Sequence, residues 1–160
     1  MSDKSQLLHT LDPLLKHLAT VDPAVGSRAA AELNEGFPIG GSLLLDVRSQ
    51  VIEGMAAGWL TPRQAGDNLR YGRLCKPIDG SHGFSIDAVD MCGPGPGHVH
   101  PNGELDLCFA LDEGARFDGH PEGWVVYGPG SWHVPTVTGG RMAILYFLPG
   151  GAIRFGPRPS

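Results

Sequence analysis

The sequence predicts a mainly β chain, with a single antiparallel β-barrel of jelly-roll type preceded by an α-helical N-terminal extension. Two observations carry this. Residues 1–80 hold only 9 of the 24 glycines and 5 of the 14 prolines, whereas residues 81–160 hold the other 15 and 9. Frequent Gly/Pro punctuation separates short strands, and its scarcity in the first half leaves room for helices. The first half also repeats leucines at helical spacing, while the second half alternates apolar and polar residues. The expected division is a helical extension over 1–78, packed on a barrel over 79–160.

Taken in order, residues 6–19 place Leu7, Leu8, Leu11, Leu14, Leu15 and Leu18 on one helical face, with Pro13 shortening or kinking the helix. Asp22-Pro23 reads as an N-cap with proline at the first turn, opening a helix to about Leu33. Residues 37–41 form a turn. Leu44, Leu45, Val47, Val51, Ile52 and Met55 predict a helix over 42–58, and Thr61-Pro62 caps another running to about Tyr71. Strands are then expected at 84–91, 98–100, 104–111, 123–127, 132–137, 141–148 and 152–155. Residues 92–97 make a Gly/Pro loop.

At 160 residues the chain has the length of one domain, and 41% hydrophobic against 18% charged residues marks it as globular. A net charge of −5 without a Lys/Arg run argues against nucleic acid or an anionic membrane as partner. No apolar run has the roughly 18 residues needed to span a bilayer. With no signal-like pattern in the first residues, the expected compartment is the cytoplasm. Cys75, Cys92 and Cys108 are odd in number and widely spaced, which argues against a disulfide framework or zinc-type pairs and reads as small buried hydrophobes.

The chemistry concentrates in His98-Val99-His100-Pro101-Asn102-Gly103-Glu104 and in His133 of Pro129-Gly130-Ser131-Trp132-His133. On an extended strand His98 and His100 share a face. The Pro-Asn-Gly turn can return Glu104 beside them, and His133 arrives from another strand. Three imidazoles and a carboxylate suit divalent iron, manganese, zinc, nickel or cobalt, and leave open positions for Lewis-acid chemistry. Because binding needs neutral imidazole, affinity is expected to fall below about pH 6. The Gly/Pro-rich 93–97 run before the first histidine implies a shaped entrance.

These residues resemble the two cupin motifs, with His98, His100, Glu104 and His133 at the ligand positions. The glycine spacings are looser, and Val137 stands where asparagine is often found. More narrowly, residues 95–155 resemble the 4-hydroxylaminobenzoate lyase family. The stretches that carry the likeness are 98–107, 115–119, 123–127, 129–137 and 145–151. The resemblance implies conversion of 4-hydroxylaminobenzoate to protocatechuate with release of ammonia, assisted by a metal held on those four residues. Glu104 and His100 are then the residues whose loss abolishes turnover, and Tyr127 is a candidate acid or ring contact. A substrate carboxylate calls for a guanidinium, and Arg73 and Arg70 precede the barrel, Arg73 following Gly72. Asp106 shares the face of Glu104 and is placed to orient a ligand histidine. A cupin dioxygenase or isomerase acting on another small aromatic or acidic substrate, and a non-catalytic small-molecule-binding cupin, are the competing readings. Barrels of this size pair through edge strands or an added helix, so a homodimer is expected.

Overall fold

The computed structural model describes residues 2–78 and 80–160. Helix α1 (Lys4–Leu18) is capped by the Asp3 side chain, which accepts from the Gln6 amide at 2.9 Å. It runs unbroken through Pro13 and buries Leu7, Leu11, Leu14, Leu15 and Leu18. Asp22 caps only a 3-10 turn (Pro23–Val25), because Gly26 turns to φ +45° before helix α2 (Gly26–Gly36) begins. Helix α3 (Ser42–Ala57) ends at Gly58, whose left-handed φ of +85° sends its N–H back to Gly54 and Met55.

The helix expected from Thr61 to Tyr71 does not form. Strands β1 (Arg63–Ala65) and β2 (Leu69–Cys75) pair antiparallel as a hairpin, and β2 continues onto β3 (Phe84–Pro94). Gly66-Asp67-Asn68 is the turn between them, and such residues favour a turn over a helix interior. The ladder to β3 supplies backbone partners that a helix would forgo. Gly72 makes it possible, since a Cβ there would lie 2.1 Å from the Leu60 carbonyl oxygen. The helical part therefore ends at Ala57, and residues 63–75 belong to the sheet.

The remaining strands are β4 (His98–His100), β5 (Glu104–Ala110), β6 (Arg116–Phe117), β7 (Gly123–Tyr127), β8 (Ser131–His133), β9 (Thr136–Pro149) and β10 (Arg154–Phe155). The two strands expected over 132–137 and 141–148 are instead β8 and the single long β9, which carries Gly139 and Gly140 at positive φ. All pairs are antiparallel. One sheet runs β1-β2-β3-β9-β5-β7 with β6 on β9, and the other runs β10-β4-β8. This is a two-sheet jelly roll with an N-terminal helical layer.

Strand alternation gives the large sheet two buried faces. Ile86, Leu105, Leu107, Phe109, Leu145 and Phe147 share one core with the helical leucines. Met91, Cys108, Val125, Ile144 and Tyr146 belong to a second core on the opposite face. Glu104 and Asp106 alternate with Leu105 and Leu107, so they stand on that second, inner face. Trp124 locks the helical layer down, its indole N–H reaching the Phe37 carbonyl at 3.0 Å and its amide the Asn34 side chain at 2.9 Å. No disulfide forms among the described residues, and Cys75 and Cys108 are buried. Leu107→Ala should cost about 2–5 kcal/mol through lost burial and a cavity. Thermal unfolding would register this as a lower midpoint, with the inner-face site intact below it.

Candidate metal centre

The turn Pro101-Asn102-Gly103 delivers Glu104 to the site. Gly103 takes φ +86° and its amide closes the turn on His100 O at 3.1 Å. A side chain there would meet Pro23 at 2.6 Å and the Tyr127 carbonyl at 2.9 Å. On the small sheet His98 lies opposite His133, and His100 opposite Ser131. The four side chains named by the sequence meet: one ligand atom from each of His98, His100, Glu104 and His133 lies within 4.8 Å of the others. Glu104 Oε2 is 2.8 Å from His100 Nε2 and 3.3 Å from His98 Nε2. His98 Nε2 is 3.1 Å from His133 Nε2.

Each ring is held by its other nitrogen. His98 Nδ1 donates to the Pro96 carbonyl at 3.0 Å. Ser131 Oγ gives its own proton to Gly128 O at 2.6 Å, so it accepts from His100 Nδ1 at 2.9 Å. His133 Nδ1 donates to Asp118 Oδ2 at 2.7 Å. When neutral, all three rings therefore present a bare Nε2 lone pair to one point. The His100 Nε2 atom and both Glu104 oxygens are buried without a hydrogen-bond partner. Lone pairs facing one another beside a buried carboxylate are costly unless a cation sits among them. The donor set fits a divalent ion of the iron–zinc series.

The electrostatics agree. Burial alone would neutralise Glu104, but its contacts to His100, His98 and Asp106 outweigh it and hold its carboxyl well below the usual carboxylate range. Asp106 goes the other way. Burial and the neighbouring Glu104 charge push it far up, so it keeps its proton beside Glu104. At His98, burial opposes the charged ring, but the Glu104 carboxylate beside it, with the Pro96 carbonyl, prevails and raises the pKa above its ordinary value of 6.5. Protons compete with an ion for this nitrogen. A raised pKa means that ion affinity is complete above it and is lost as pH falls through it, so the loss starts higher than the expected pH 6. Cobalt(II) titrations between pH 5 and 8.5 would trace that fall.

Tyr127 stacks on the His100 ring at 5.4 Å between centroids and lies 4.3 Å from His133. Its hydroxyl donates to Asp118, so its one proton is committed there and its ring is what faces the site. Burial and the Asp118 contact push the phenol far up. Asp118 is held low despite burial by donation from His133, Tyr127 and the Thr136 amide. The sequence reading gave Asp118 no role. Asp118-Gly119 looks like an ordinary turn signal, and nothing local reveals that the turn folds back on β8.

A cavity of about 720 Å³ adjoins the cluster, and His98 is the ligand on its wall. Its charged lining is Lys4, Arg63, Arg73 and Asp87, net positive in a chain of net charge −5. Of the two arginines in question, Arg73 lines the cavity, with Nε on Asp87 at 2.9 Å. Arg70 lies on the opposite face of β2, its guanidinium on the Thr61 and Pro62 carbonyls at 3.2 and 3.4 Å. It is therefore not brought to the site. Lys4, whose Nζ reaches Arg73 O at 2.8 Å, had no local signal, being 69 residues away.

Fold and site together define a cupin with a three-histidine, one-glutamate group able to hold a metal ion. The family model for PnbB, 4-hydroxylaminobenzoate lyase, matches residues 12–155. A 4-hydroxylaminobenzoate lyase of Nocardioides sp. (strain LMS-CY) is 33% identical over 99% of this chain and 98% of its own. Another from Pseudomonas putida is 34% identical over 77% and 80%. The chain belongs to the 4-hydroxylaminobenzoate lyase family and is a lyase. Among solved structures it is similar to an RmlC-like cupin protein from Ralstonia eutropha, with 13% identity, TM-score 0.45, and 62% and 66% of the two chains covered. No helix among the described residues is long and apolar enough to cross a membrane.

Proposed function

We propose that this chain converts 4-hydroxylaminobenzoate and water to protocatechuate and ammonia. The observation that carries the reading is a four-ligand group with bare Nε2 atoms at the wall of a cationic cavity. The family relation supports it. The reaction balances without an external oxidant. The N–O bond accepts the two electrons released as the ring is hydroxylated, and its oxygen leaves as water. One water adds at the neighbouring ring carbon and a second hydrolyses the C=N bond, so that nitrogen leaves as ammonia and one water is consumed overall.

Arg73 holds the substrate carboxylate end-on through Nη1 and Nη2, while Asp87 fixes the guanidinium through Nε. Lys4 and Arg63 add positive charge at the same wall. Val89, Met91 and Leu148 give the flat ring an apolar bed that keeps bulk water off it. His98, His100, Glu104 and His133 hold the ion, and Tyr127 backs the His100 ring. When bound, a divalent ion supplies Lewis acidity that eases loss of a poor leaving group such as hydroxide. Asp106, two residues along the same face from Glu104, holds a proton at its own carboxyl inside the site.

The deciding experiment is an anaerobic assay that measures protocatechuate and ammonia from 4-hydroxylaminobenzoate. One equivalent of each per substrate is expected. Failure to release ammonia removes the reading. Stoichiometric oxygen uptake in air would make the chain an oxygenase instead.

A further inference from the structure

We propose that Asp118 is the positioning residue that sets which nitrogen of His133 carries the proton, and so keeps Nε2 available as an ion ligand. The inference rests on the reading of His98, His100, Glu104 and His133 as ligands.

Asp118 follows β6 at φ +48° and is tied to the first residue of β9 twice. Its amide donates to Thr136 O at 2.8 Å, and its Oδ1 accepts from the Thr136 amide at 2.8 Å. This reciprocal pair fixes the plane of the carboxylate. The other oxygen, Oδ2, then takes both the Tyr127 hydroxyl and His133 Nδ1, the latter at 2.7 Å. A carboxylate only accepts, so Nδ1 carries hydrogen, and in the neutral ring Nε2 is left bare. Two walls of the site, the His133 ring and the Tyr127 ring, thus hang from one oxygen atom.

This geometry makes Asp118→Asn a sharp probe. Asparagine tolerates the left-handed backbone. The Thr136 N–H demands an oxygen at the Oδ1 position, which forces the amide NH2 into the Oδ2 position. That NH2 faces His133 Nδ1 as a donor. The hydrogen bond reverses, the ring proton moves to Nε2, and the ligand atom is masked. The variant is nearly isosteric and keeps the Thr136 bond, so its effect is on the tautomer rather than the fold.

Two readouts follow. Nitrogen-15 shifts of His133 in metal-free protein, assigned by their loss in His133→Ala and recorded on the alkaline side of the histidine titration, should show Nδ1–H in the wild type and Nε2–H in Asp118→Asn. Cobalt(II) affinity, read by visible absorption without any substrate, should fall about 10–100-fold in the variant. Either an Nε2–H wild-type ring or an Asp118→Asn protein with the wild-type tautomer and cobalt affinity overturns the role of Asp118. Should the variant fail to fold, the wild-type tautomer alone decides. A wild-type chain that binds no cobalt would sink the ligand reading, and the tautomer measurement would still test Asp118.

Discussion

Glu104→Gln is expected to lower turnover of 4-hydroxylaminobenzoate by about three orders of magnitude or more. Glu104 is fully buried, and its Oε2 lies within 3.3 Å of two ring nitrogens. Glutamine keeps the shape but loses the negative charge that three neutral imidazoles cannot supply toward a divalent ion. Losing about 4 kcal/mol of stabilisation at the reacting centre corresponds to about a thousandfold in rate. His100→Ala should be comparably inactive, because His100 contributes the closest contact to Glu104. Neither change should unfold the chain. The depressed pKa of Glu104 means that its ionised carboxylate is stabilised by its neighbours in the metal-free fold, and neutralising it removes that stabilisation. The thermal midpoint of metal-free Glu104→Gln should therefore lie below that of the metal-free parent at neutral pH, with the cooperative transition retained. Chelation should inactivate the parent, and a divalent ion should restore it. Full activity of Glu104→Gln, or of thoroughly chelated protein, would remove the ion from the reaction.

The second large effect separates the two arginines. Arg73→Gln should raise KM for 4-hydroxylaminobenzoate about 10-fold with a smaller change in kcat. A charge-assisted hydrogen bond to a carboxylate contributes about 1.5–3 kcal/mol, and the half-exposed Arg73 side chain brings that toward the lower end. Phenylhydroxylamine, which lacks the carboxylate, should be handled equally by parent and variant. Arg70→Gln should leave KM unchanged, since that guanidinium is spent on the Thr61 and Pro62 carbonyls across the strand. Equal KM for Arg73→Gln and the parent would move carboxylate recognition to Lys4 or Arg63 on the same wall.

Three members of the His/Glu cluster were legible because their spacing is short-range, and His133 because it stands in the 129–133 stretch of the family resemblance. Two residues on a strand place His98 and His100 together, and a glycine turn returns Glu104. Parity along β5 likewise put Asp106 beside Glu104, where burial and the neighbouring charge give it a proton. Residues 61–71 were misread because Thr61-Pro62 resembles a helix start, while residues 69–71 become strand on β3, 18 to 22 residues downstream in register, and 63–65 pair back on β2. Under a helical reading Arg73 was preferred to Arg70 only because it follows Gly72. On a strand, three residues apart means opposite faces.

The amino-acid sequence by itself determined the helical and β halves, the jelly-roll class and the identity of the ligand quartet, because periodicity and turn chemistry act over a few residues. Only the tertiary structure decided what surrounds that quartet. Asp118, Ser131 and the Pro96 carbonyl set each imidazole's tautomer, and Lys4 joins Arg73 at the cavity wall. Those placements depend on how strands far apart in the chain close on one another, and the direction of a hydrogen bond is settled only when both partners are in place.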